Sequence, residues 1–160
     1  VMATWPTITD DDGSNTTGTV VNNTNVWTPI QTYIGGAWTT PTFAAGNFTQ
    51  DTGTWTVASG DVTTNAYVVI GKTMIWNLSV ATSTVATNPV ELRCTIPAGA
   101  TAQTSAYVTG LAIINGTAEF IRVDAQTGVT YVRAQRLTSG AWSASTDNTW
   151  LLFQIAIEIA

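Results

Sequence analysis

The chain has 160 residues, a formal net charge of −5 and a pI near 4.2. Only five residues are Lys or Arg, too few for a surface that holds nucleic-acid phosphates or anionic membranes. One cysteine and no histidine exclude an internal disulfide framework and a Cys–His catalytic pair.

Residues 1–50 are rich in Thr, Asn, Gly and Pro and read as an N-terminal arm. Asp10-Asp11-Asp12-Gly13-Ser14-Asn15 is a turn by composition. Its three carboxylates invite a calcium ion, but an EF-hand loop counted from Asp10 would need Gly at position 15 and Glu at position 21, where Asn15 and Val21 stand. Thr28 suits the cap of a short helix, Pro29 its first turn and Gly35 its end, with Trp27, Ile30 and Ile34 on one face. The N-terminus, Val1-Met2-Ala3-Thr4-Trp5-Pro6, lacks the basic start and apolar stretch of a signal peptide.

Residues 51–160 read as a β-sandwich domain. Extended runs fall at 54–58, 66–70, 73–82, 90–96, 105–114, 117–124, 129–137 and 149–159, separated by turn signals. In 73–82, Met74, Trp76, Leu78 and Val80 share one face, the period-two pattern of a strand with an apolar side. Asn115-Gly116 is the strongest hairpin signal, because both residues tolerate the positive φ of a type I′ turn. The last run puts Leu151, Phe153, Ile155, Ile157 and Ile159 on one face. Its other face, Trp150, Leu152, Gln154, Ala156 and Glu158, is half apolar, which predicts cover on both sides. About eight strands with no helix among them predict an all-β, antiparallel, jelly-roll-like sandwich.

Charged residues make up 9% of the chain, against roughly 25% in ordinary soluble domains. Thr alone is about a fifth of it. Either the surface is neutral and well hydrated, or much of it is buried against other subunits. No apolar run is long enough to cross a membrane as a helix.

Few residues suggest chemistry. Asp51-Thr52-Gly53 is the tripeptide of aspartic proteases, yet the polar Asn47-Phe48-Thr49-Gln50 precedes it where an apolar strand is needed, so it reads as a turn. Glu91, Glu119, Asp124, Asp147 and Glu158 are carboxylates of the kind glycosidases pair, but no spacing selects two of them. Glu119 is expected to form an ion pair with Arg122 or Arg93. Cys94 shares a face with Leu92 and Ile96 and reads as a small buried hydrophobe. There is no Gly-rich phosphate loop and no Cys/His metal set, so no catalytic residue, cofactor site or metal site is assigned. Five N-x-S/T sequons, at Asn15, Asn22, Asn47, Asn77 and Asn115, follow from the abundance of Thr. Of the seven tryptophans, Trp55, Trp76 and Trp150 fit strand positions. Trp142 sits at the tip of a polar loop, where a ring suits ligand contact such as saccharide stacking, and equally a subunit contact.

Tyr67-Val68-Val69-Ile70-Gly71-Lys72-Thr73-Met74 resembles the strand pair of terminal β-domains in tailed-phage fibre proteins. Leu92-Arg93-Cys94-Thr95-Ile96-Pro97, the Asn115-Gly116 hairpin and the closing run through Ile159 are similar to the strands that follow in those domains. The segment from Asp10 to Asn22 is similar to linkers that precede them. The resemblance implies a homotrimeric, virion-associated jelly roll without catalytic residues, in a fibre, head-fibre or decoration protein. In that reading the arm contacts other virion proteins and distal loops are free to bind a host surface glycan. The alternative is a carbohydrate-binding or lectin-like module of a secreted protein.

Overall fold

A computed structural model describes residues 36–160. The Asp10–Asp12 turn and the short helix expected between Thr28 and Gly35 lie outside the described residues.

Nine antiparallel strands form one nearly closed sheet: β1 (Phe48–Gln50), β2 (Thr54–Thr56), β3 (Val62–Ile70), β4 (Thr73–Ala86), β5 (Leu92–Thr95), β6 (Ala106–Ile114), β7 (Thr117–Ala125), β8 (Tyr131–Arg136) and β9 (Ser145–Glu158). The sheet order is β1-β5-β8-β7-β6-β9-β4-β2, with β3 also on β4. Hairpins join β6, β7 and β8. β5 lies beside β8 and β9 beside β6, so two Greek keys share that meander. This is the winding expected of a jelly-roll-like sandwich.

The two ends of the sheet are consecutive in the chain. β1 ends the ladder beside β5 and β2 ends it beside β4, and the turn of residues 51–53 joins them. Inside that junction the rings of Phe48 and Trp55 meet edge to face, 5.6 Å apart. The body therefore begins earlier than residue 51. Its compact unit is Trp38–Ala160, and Phe48 is buried opposite Cys94. The polarity of Asn47, Thr49 and Gln50 hid a strand that has one inward ring.

Alternation sets the core. Met74, Trp76, Leu78 and Val80 of β4 face Leu151, Phe153, Ile155 and Ile157 of β9, and all are buried. Trp76 meets Phe153 edge to face at 5.3 Å and donates its Nε1–H to Asn65 Oδ1 at 2.8 Å. Ile121, Val123 and Ala125 of β7, Leu92 and Cys94 of β5, and Val132 and Ala134 of β8 belong to the same core. Burial pushes the Cys94 thiol pKa well up, so it stays protonated as a small core side chain.

β4 and β9 both run longer than their patterns indicate. The β4–β9 register shifts between Val80 and Ser83 and again between Ser83 and Val85. Thr82 at φ 55° marks an extra residue in β4, and Asp147 at φ 49° lies in the second shift, on β9. Before the bulge the inward residues of β4 are even-numbered. After it they are Ser83 and Val85. The change of parity breaks the alternation, so residues 83–86 read as loop in the sequence while the strand continues. Asn115-Gly116 turns the β6–β7 hairpin at φ 48° and 82°, as expected.

Candidate functional site

Trp142 does not stand at an exposed loop tip. Its side chain is fully buried in the core, and its backbone N–H donates to the Pro89 carbonyl at 2.7 Å. Its indole Nε1 has no hydrogen-bond partner among the described residues. The loop is polar around a single large ring, and burying that ring outweighs the polarity of its neighbours. Trp142 thus presents no face to a saccharide, and the expectation of ligand contact there is corrected.

The turn at Asp51-Thr52-Gly53 is a clasp. Asp51 Oδ1 accepts the backbone N–H groups of Val90 and Glu91, both at 3.0 Å, and the Asp51 N–H donates to the Glu91 carbonyl at 3.3 Å. Slight burial raises the Asp51 pKa, but the backbone donors of Glu91, Thr52, Val90 and Asp51 itself outweigh that and hold it below the usual carboxylate value. The carboxylate fixes the β1–β2 junction to the entry of β5.

Charges gather on the outer face of β5, β8 and β7. Arg93 and Arg133 lie directly opposite each other, a repulsive placement for like charges. Glu91 relieves it. Its Oε2 accepts from Arg93 Nε at 2.9 Å and Nη2 at 2.8 Å, and its Oε1 accepts from Arg133 Nη1 at 3.3 Å and Gln135 Nε2 at 3.1 Å. Arg133 Nε also donates to Asp124 Oδ2 at 2.7 Å, and Asp124 is fully buried. Arg122 Nε lies 3.1 Å from Asp124 Oδ1, close enough for Coulomb attraction but not aligned to donate, so that oxygen has an ionic neighbour and no hydrogen bond. Arg122 Nη2 donates to Gln135 Oε1.

Glu119 pairs with neither Arg122 nor Arg93. Arg136 holds it through two bonds, Nε to Oε1 at 2.6 Å and Nη2 to Oε2 at 2.9 Å. The guanidinium of Arg93 stacks on Tyr131, 5.1 Å from the ring centre. Asp147 Oδ1 accepts from the Thr84 hydroxyl at 3.0 Å, and Glu158 ends β9 on its exposed face. Glu91 and Asp124 are thus brought together, but around one shared arginine. Among the described residues no three His, Cys, Asp or Glu side chains converge as a metal set.

The third feature is apolar, and sequence reasoning found only part of it. On the outer face of β6, β7 and β9, Phe120, Leu111 and Leu152 form one cross-strand row, and Ile113 and Trp150 pair in the next. Phe120 is 66% exposed, Leu152 49%, Trp150 42% and Leu111 39%. The β6–β9 ladder pairs residues 111–114 with residues 152–149. At its end lies a trough of about 620 Å³ between Thr109, Gly110 and Leu111 on one side and Leu152 and Gln154 on the other, with Phe120 at its margin. Gly110 is required there: a Cβ at this position would stand 2.9 Å from the Leu152 carbonyl oxygen and 2.9 Å from Val123 Cγ2. A second hollow of about 230 Å³ lies along Trp150, Ile113 and Ser79. The half-apolar second face of β9 signalled Trp150 and Leu152. The contribution of Phe120 and Leu111 depends on strand order, which the sequence pattern does not reveal.

Compared with protein families, curated proteins and solved structures, the chain matches none.

Proposed function

We propose that the chain is a non-enzymatic structural component of a phage virion, a homotrimeric fibre or decoration-type protein that displays a β-domain. The observation that carries this reading is the outer face of β9. Its inward residues are buried, yet Trp150 and Leu152 on the opposite face stay exposed in the single chain, beside Leu111 and Phe120. Exposed apolar area that is contiguous across strands is characteristic of surfaces that other polypeptide covers. Two facts support the reading. The molecule has few surface charges to keep single copies apart, and four of its five cations are committed to internal ion pairs. The likeness of the β3–β4 hairpin and the closing strand to phage fibre domains supplies the virion setting and the threefold stoichiometry.

In this reading the N-terminal residues attach the domain to other virion proteins, and the particle is extracellular. Native mass measurement of the full chain at micromolar concentration tests it. The expected species is three times the 16.9 kDa chain. A stable monomer contradicts self-association.

A further inference from the structure

Building on that self-association, we infer that the subunits meet through the outer face of β6, β7 and β9, with Phe120 of one copy seated in the trough beside Leu152 of the next. Phe120 is the most exposed large apolar side chain among the described residues, at 66%. It stands directly opposite Leu111, and Leu111 stands directly opposite Leu152. A projecting ring therefore forms part of the wall of a trough of about 620 Å³ on the same face. A surface that carries both a knob and a hole is complementary to a copy of itself. When the knob of each copy enters the hole of the next and the rotation closes, a ring results.

Charge points to the same occupant. The paired rows Phe120–Leu111–Leu152–Ser79 and Ala118–Ile113–Trp150 contain no ionisable side chain. Arg122, the nearest cation on β7, is turned to Asp124 and Gln135. Two copies can approach through these rows without bringing like charges together. A strongly charged partner would find nothing to pair with there. Thr109 and Gln154 at the margins of the trough supply neutral polar groups of the kind that rim interfaces. Aromatic anchors seated in pockets dominate association energy, which singles out Phe120 among the residues of this face.

Sedimentation of the full chain and three variants at micromolar concentration, each checked for strand content by circular dichroism, tests the proposal. Phe120→Asp and Leu152→Asp change exposed positions and should fold. Both are expected to sediment as monomers. Leu137→Asp, at a residue 60% exposed but outside these rows, is expected to assemble like the wild type. If the wild type assembles and both face variants do so equally well, the face is wrong while self-association stands. If the wild type is monomeric, self-association fails and this proposal fails with it. A two-copy assembly abolished by both face variants upholds the face and removes the threefold stoichiometry.

Discussion

Asp51 illustrates how a residue in a catalytic-looking tripeptide can serve only the backbone. Its carboxylate caps Val90 and Glu91, and these backbone donors hold its pKa below the usual carboxylate value despite slight burial. The sign is that of an acid favoured in its charged form by folding. The stabilisation is complete above the unfolded-state value near 3.8 and is lost as pH falls through the lower folded value. Asp51→Asn should therefore be less stable than the wild type at neutral pH, and the gap should close as pH falls through the lowered folded value. Denaturant unfolding followed from neutral into acid pH would show it, and a constant gap would mean that the cap contributes nothing ionic. Trp142 carries a similar lesson. Composition placed it in a polar loop, correctly, but composition cannot say which way one large ring turns. Because the ring is in the core, Trp142→Ala should cost about 3–5 kcal/mol of stability. Thermal melting checks this, and an unchanged melting temperature would return the ring to the surface.

At the scale of elements, the β4–β9 ribbon shows what was legible and what was not. Period-two runs at Met74–Val80 and Leu151–Ile157 could be read directly, since each buries alternate residues. The Asn115-Gly116 turn was equally clear, since its positive φ demands those residue types. The bulges hid the rest: one extra residue reverses which side chains point inward, so the pattern appears to stop at Thr82. The bulge is pinned by a buried relay. Trp55 Nε1–H donates to Ser83 Oγ at 2.9 Å, and the Ser83 hydroxyl donates to the Thr149 carbonyl at 2.8 Å. This ties β2, β4 and β9 together where the register shifts. Ser83→Ala removes the acceptor of the Trp55 indole N–H and the hydroxyl bond to the Thr149 carbonyl, and a buried donor left unpaired costs about 1–3 kcal/mol. Chemical denaturation should show a loss of that order or more, together with altered Trp fluorescence. A loss below 0.5 kcal/mol, the size of an ordinary surface substitution, would remove the relay from the account. Ion-pair partners were illegible for a related reason. Glu119 meets Arg136 only because β7 and β8 are adjacent, a fact of strand order.

Among the described residues, the turn of residues 51–53 brings the two ends of the sheet, β1 and β2, next to each other over one core. What stays open is a face. The sparse charge of the chain allows two explanations, a hydrated neutral surface or one covered by other subunits, and the proposed contact through the outer rows of β6, β7 and β9 corresponds to the second. Thr and Asn account for neutrality, and Phe120, Leu111, Leu152 and Trp150 stand exposed together on the one face that the proposed self-association would cover. Hydroxyl-radical footprinting of the assembled full chain is the most direct test. Phe120, Leu152 and Trp150 should be labelled far less than Leu137, which is comparably exposed in the single chain but lies off the face. Labelling of all four in proportion to their single-chain exposure would contradict it.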